Sequence, residues 1–193
     1  MSRTRKQRPL VPSAILVAVC AAAAIPTVVQ PPSVDAAVVS AVAGPPWISI
    51  EYPVNPFDRT TRGAHLLVHA YYHGTPVAYP VSGTAEGMVN GERRTMTLRF
   101  ETTSRTGVYA LRKQWPSEGS WMLVISVTQG ERDAAGVAQA LVELSPNGSV
   151  ASVQVPTQRH AEGAFPRRLT AQEIETAVRA QAQRVALAGR VRS

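Results

Sequence analysis

The chain has 193 residues, 45% of them apolar, which allows one domain with extensions and excludes a wholly disordered protein. Twenty Lys and Arg against thirteen Asp and Glu leave a net charge of +7, but the excess sits at the two ends. Residues 44–158 hold nine basic and nine acidic side chains, so the middle has no basic face with which to displace counterions from phosphate, and nucleic acid is not an expected partner.

Arg3, Arg5, Lys6 and Arg8 open the chain, residues 10–29 hold no charge, and a stretch rich in Pro and small residues follows. That is the order of a secretory signal, with Val34/Ala36 and Ala41/Ala43 as small pairs at the −3 and −1 positions of a cut. An uncharged run of this length, at about 1.5 Å per residue, would also span a ~30 Å hydrocarbon core. Pro12 and Pro26 leave only thirteen residues clean between them, which favours a cleaved signal over an uncleaved inner-membrane anchor. Either way the cationic end stays inside and the remainder is translocated, periplasmic or secreted. The single cysteine, Cys20, follows Val19 and precedes "AAAAI", which does not fit a lipid-attachment site. Residues 1–43 are therefore read as signal peptide and small-residue segment, and the mature chain as free of thiols, so its stability rests on its core.

Across residues 47–157 apolar residues recur at every second position between turn residues. "WISIEY" sets Ile48, Ile50 and Tyr52 on one face, and "HLLVHAYY" sets Leu66, Val68, Ala70 and Tyr72. Asn90-Gly91 is the strongest two-residue turn signal because both positions tolerate positive φ. With those two as the loop, Val89 faces Glu92, Ala85 faces Met96, Gly83 faces Leu98 and Val81 faces Phe100, leaving Glu86, Arg99 and Glu101 on the solvent side. "WMLVISV" is apolar on both faces, Trp121, Leu123, Ile125 and Val127 on one and Met122 and Val124 on the other, which predicts a central strand. "AQALVEL" alternates Ala138, Ala140, Val142 and Leu144, and "VASVQV" offers Ala151, Val153 and Val155. Many short alternating strands indicate an all-β, Ig-like antiparallel β-sandwich.

Residues 158–193 change character. "QRHAEGAFPRR" reads as a basic linker. Thr170 and Glu173 then stand in capping-box spacing before a narrow stripe of Ala171, Ile174, Val178, Ala182 and Val185, with Gln181 at its edge and Gly189 as the stop. This predicts a short C-terminal α-helix, packed lightly on the sandwich or standing outside it.

The candidates for chemistry are few. His65, His69 and His73 recur at every fourth position, which on a helix would make a metal-binding face. On a strand the same spacing separates neighbouring imidazoles by roughly 13 Å, too far for one ion. The segment alternates and ends in a turn, so strand is expected and no metal ligand is assigned. Met88, Met96 and Met122 would suit copper(I), but Met96 is required by the core face of the hairpin. No serine stands in a nucleophile-elbow context, the carboxylates Glu86, Glu92, Glu101, Glu118, Glu131 and Asp133 are unpaired by any motif, and no glycine-rich phosphate loop is present. Trp115-Pro116 and Trp121 flank the turn "PSEGS" and would form either an aromatic platform or, more ordinarily, a cap on the sandwich edge. No catalytic, cofactor-binding or metal residue is named, and no cofactor is expected.

One resemblance adds to this. Gly74, Pro76 and Val77, then Gly107 and Tyr109, then Gly119, Trp121, Leu123 and Ile125, within residues 65–127, resemble the bacterial periplasmic domains grouped as YtkA-like or FixH-like. The resemblance implies an exported β-sandwich, and some of those relatives are associated with copper handling or oxidase assembly. The expectation for function is thus a non-catalytic binding or assembly module of the bacterial cell envelope, its partner a protein or a glycan and its only membrane contact the N-terminal segment if uncleaved. Copper handling is the alternative and an enzyme the least expected.

Overall fold

The computed structural model describes residues 44–130 and 136–191, with side chains as far as residue 188. The signal and anchor readings of residues 1–43, Cys20 included, and the carboxylates Glu131 and Asp133 lie outside the described residues. Among the described residues no helix is long and apolar enough to cross a membrane.

Twelve strands and one helix follow in order: β1 (Trp47–Glu51), β2 (Leu66–Tyr72), β3 (Thr75–Pro76), β4 (Val81–Val89), β5 (Glu92–Thr97), β6 (Phe100–Thr102), β7 (Val108–Leu111), β8 (Ser120–Thr128), β9 (Val137–Leu144), β10 (Val150–Gln154), β11 (Thr157–His160), β12 (Gly163–Pro166) and α1 (Ala171–Val191). The first sheet runs β1-β2-β7-β6, with β3 also on β2, and the second runs β10-β9-β8-β4-β5, every pairing antiparallel. Two such sheets with this order make an immunoglobulin-like sandwich, extended by β10 at one edge. Its core joins Ile48, Leu66, Val68, Ala70 and Leu111 of the first sheet to Ala85, Leu123, Ile125, Val127, Ala140 and Val142 of the second.

The Asn90-Gly91 hairpin forms in the expected register, Val89 opposite Glu92 and Ala85 opposite Met96, with both turn residues at positive φ. Gly83 still accepts a hydrogen bond from Leu98 N–H at 2.9 Å, but the expected pairing of Val81 with Phe100 does not occur. The chain leaves the second sheet there, and Phe100 pairs with Leu111 in the first. Crossing between sheets strips Arg99 of ladder partners, and the Gln114 side chain supplies them: its carbonyl accepts from Arg99 N–H at 3.0 Å and its amide donates to Arg99 C=O at 2.7 Å. Trp121 packs over Gly87, where an added Cβ would lie 2.6 Å from the indole. Only glycine fits beneath that ring.

Three other expectations are corrected. The stretch read as linker forms the hairpin β11–β12, whose backbone pairing does not depend on an apolar pattern. In β10 the register shifts between Val150 and Ser152, a bulge that puts Val150 on the core side in place of Ala151; Val153, opposite Val142, keeps the expected face but is 40% exposed on this edge strand, and Val155 packs against the core. The helix does not stop at Gly189 but continues to Val191.

β8 is central, as its two apolar faces require, and α1 covers the outer one. Met122, Val124 and Leu141 meet Val178 there, with Met88, Leu169, Ile174 and Ala177 around them. The capping box starts the helix: Glu173 N–H donates to Thr170 Oγ1 at 3.2 Å, and Thr170 N–H to Glu173 Oε2 at 2.8 Å. Gln181 is not at the edge of the stripe but 2% exposed, its amide donating to the Trp121 and Leu144 carbonyls at 2.8 and 2.7 Å. Glu86 likewise is not on a solvent face. It lies 8% exposed, takes hydrogen bonds from Thr84, Thr95 and Arg93, and Arg93 reaches on to Glu175 of α1 at 3.1 Å.

Replacing Gln181 by Ala removes a buried hydrogen bond from each of two strand carbonyls and leaves a void beneath α1. Guanidinium chloride unfolding is expected to show a loss of about 2–4 kcal/mol, against about 0.5 kcal/mol or less for the exposed Gln183→Ala.

Candidate functional site

β2 is a strand, so the three histidines fall into three surroundings. His65 packs edge-on against Trp115, ring centroids 5.1 Å apart, and against Tyr52, and its Nε2 has no hydrogen-bond partner among the described residues. His73 stands in the turn after β2 with φ 48°, its ring against Tyr72. His69 lies on the outer face of the first sheet and meets Glu51. Among the described residues no group of three or more His, Cys, Asp or Glu side chains could hold a metal ion. The methionines divide between packing sites: Met96 in the sandwich core, Met88 and Met122 beneath α1.

The tryptophans at "PSEGS" do not form a platform. Trp115 and Trp121 are 4% and 6% exposed, and the Trp121 indole N–H donates to Glu118 C=O at 2.7 Å. A cleft of about 170 Å³ opens beside them, between the turns around Ser117 and Asn147, but its Lys113 ammonium is tied to Ser117 Oγ at 2.9 Å. A wider concavity of about 400 Å³ lies along β11–β12 over Phe165, with Gly44 and Pro45, the first described residues, at its wall. In the first the serine hydroxyl and the lysine ammonium stand together on an exposed turn, and the second is lined mainly by β11–β12.

The outer face of the first sheet does gather side chains from distant segments. The register of β1 on β2 sets Trp47 opposite Tyr71, Ser49 opposite His69 and Glu51 opposite Leu67, all pointing away from the core. Part of this face is roofed: Leu67, Val108 and Ala110 are buried beneath Val54 and Ala64 of the β1–β2 loop. The rest is open. Trp47 is 42% exposed, although its neighbour Ile48 is 5% exposed in the core. Beside it the His69 and Tyr71 rings lie parallel, 5° apart in tilt with centroids at 6.1 Å. Glu51 Oε2 accepts from His69 Nε2 at 2.9 Å, and Nδ1 lies 3.5 Å from the Tyr71 hydroxyl. Arg105, from the loop between β6 and β7, sits 3.9 Å from Glu51 and 3.8 Å from Asp58. Asp58 caps a single 3-10 turn (Arg59–Thr61), accepting from Thr60 N–H at 2.9 Å. Those hydrogen bonds from Thr60, with Arg105 further off, hold its carboxyl below the usual range. Phe57, adjacent to Asp58, is 89% exposed.

This strip is the candidate site: aromatic surface at Trp47 and Tyr71, an oriented imidazole in the middle, and two carboxylates sharing a guanidinium at the far end. It offers donors, acceptors and aromatic area, and Ser49 stands opposite His69, whose ring nitrogens are directed at Glu51 and Tyr71. Sequence reading passed over Trp47 and Tyr71, because only the strand register places them opposite one another. The signal was present, however: Trp47 alternates with Ile48 and Ile50, and so belongs to the other face. No family model, curated protein sequence or solved structure matches the chain.

Burial, reinforced by the Lys113 charge, pushes the His65 imidazole below its ordinary 6.5. Burial alone would raise Glu86, but hydrogen bonds from Thr84, Thr95 and Arg93 outweigh it and hold the carboxyl below 4.5. Both groups bind fewer protons folded than unfolded, so both contributions to stability are present at high pH and are lost on acidification. Urea titrations are expected to show stability falling first below pH 6.5 and again below pH 4.5, with His65→Leu removing only the upper step.

Proposed function

We propose that the protein is a non-catalytic binding module of the bacterial cell envelope, exported by its N-terminal segment and recognising its partner with the open face of the first sheet. The observation on which this rests is Trp47, 42% exposed on β1 with half-buried Tyr71 opposite it and His69, Glu51 and Arg105 alongside, while the outer face of β8 is covered by α1. A tryptophan held in solvent on a rigid strand has little to do with stability, whereas tryptophan, tyrosine and arginine are the residues that anchor interfaces. The strip is shallow, so it suits contact along a surface and not enclosure of a small molecule. Export is supported by the cationic block, uncharged run and small-residue stretch of residues 1–43, and by the resemblance of residues 65–127 to the YtkA-like and FixH-like domains. Nothing in the geometry favours the copper alternative, since the imidazoles are apart and the methionines are occupied in packing.

The test is capture from envelope extract on the immobilised full-length chain. Material is expected to be enriched by the natural protein and lost with the Trp47→Ala, Tyr71→Ala double variant. Repeated failure to enrich anything, or equal enrichment by the double variant, would remove the reading.

A further inference from the structure

The joint between α1 and the second sheet is built differently from the rest of the core, and this bears on how the helix behaves, independently of the open face of the first sheet. The sandwich is closed without α1, since the core cluster between the two sheets contains no residue of the helix. Of the side chains described in α1, only Val178 and Gln181 are buried. The apolar joint is thin: Val178, with half-buried Ile174 and Ala177, on Met122, Val124 and Leu141. A helix separated from its packing partner is marginal in water, so α1 depends on this joint and on the polar ties beside it.

The two charged ties from the helix to the strands each depend on carboxylates. Arg184 of α1 reaches Glu143 of β9, which also accepts from the Ser152 hydroxyl of β10 at 2.9 Å. At the other tie Arg93 of β5 stands between buried Glu86 of β4, at 2.8 Å, and Glu175 of α1, at 3.1 Å. Glu86 also accepts from the Thr84 and Thr95 hydroxyls. Glu175 in turn stands between two guanidiniums, because Arg179, one helical turn on, meets its other oxygen at 2.6 Å. Ionised, Glu175 joins sheet to helix. Protonated, it leaves Arg93 of the sheet and Arg179 of the helix as like charges around a neutral group, and attraction across the joint turns to repulsion.

The direction follows from the same contacts. Hydrogen bonds from Arg179 and Arg93 hold the Glu175 carboxyl below its ordinary 4.5. The bond from Arg93 exists only while the helix is docked, so Glu175 binds fewer protons docked than free. Docking is therefore favoured above pH 4.5 and weakens as the pH falls through the docked value.

We propose that α1 is an acid-released cover: on acidification the helix leaves the second sheet as a unit while the sandwich stays folded, baring Met122, Val124 and Leu141.

Hydrogen exchange of the full-length chain in mild detergent, normalised to the intrinsic rate at each pH, separates the two events. From about pH 6 to about pH 3.5 the protection of α1 amides is expected to fall about ten-fold or more, while amides of β8 and β9 stay protected. Glu175→Gln keeps the size of the side chain and removes its charge. It should lower α1 protection about three-fold or more at neutral pH and flatten its dependence on pH. Adding Arg179→Ala to that variant should restore part of the protection by removing the repulsion, which a merely structural role for Glu175 would not allow. Glu92→Gln, in the exposed pair with Arg94, should change neither. Loss of protection in α1 and β8 together at one pH, or α1 protected to the acid limit as firmly as the sandwich, overturns the proposal. So does a Glu175→Gln profile that matches the natural one, or no rescue by Arg179→Ala.

Discussion

A strand with apolar residues on both faces must be covered twice, and β8 is such a strand. Leu123, Ile125 and Val127 enter the sandwich core while Met122 and Val124 point the other way, and all five are buried. Fully burying side chains of this kind is worth about 1.5–3 kcal/mol each, so leaving the second set in water would cost several times a single hydrogen bond. The first cover is the opposing sheet. The second is α1, and the position of the helix follows from where Met122 and Val124 lie.

The helix is held there by polar groups as much as by Val178. Gln181 donates to carbonyls on two neighbouring strands, Trp121 of β8 and Leu144 of β9. Arg93 spans from buried Glu86 to Glu175, and Arg184 pairs with Glu143. Arg167 and Arg179 of the C-terminal segment find partners nearby as well. Arg167 joins Glu173, whose carboxyl this guanidinium and the Thr170 hydrogen bonds draw down to about 2, and Arg179 joins Glu175.

These covers leave part of one sheet face open. One outer face is closed by α1, and half of the other is closed by the loop before β2. The remainder, with Trp47, His69 and Tyr71, is flat because it is sheet and rigid because its backbone is paired on β2. Glu51 orients the His69 imidazole on that surface.

Much of this was legible in the residues alone. Period-two alternation marks β1, β2, β8 and β9, Asn90-Gly91 sets the hairpin register because few other pairs tolerate its φ values, and Thr170 with Glu173 marks the helix start; all are local effects of backbone sterics and hydrogen bonding. The same alternation separates the histidines by denying them a helix. What it cannot show is which outward face meets another element. Glu86 and Gln181 read as surface residues because their burial is created by α1 and β4–β5 together, Phe100 leaves its hairpin because a second sheet is there to receive it, and β11–β12 is held by backbone pairing that no side-chain pattern announces. Trp47 and Tyr71 are far apart in the chain, and only the tertiary register of β1 on β2 made them neighbours. Local sterics select the elements, and long-range burial decides which of their faces remain to be used.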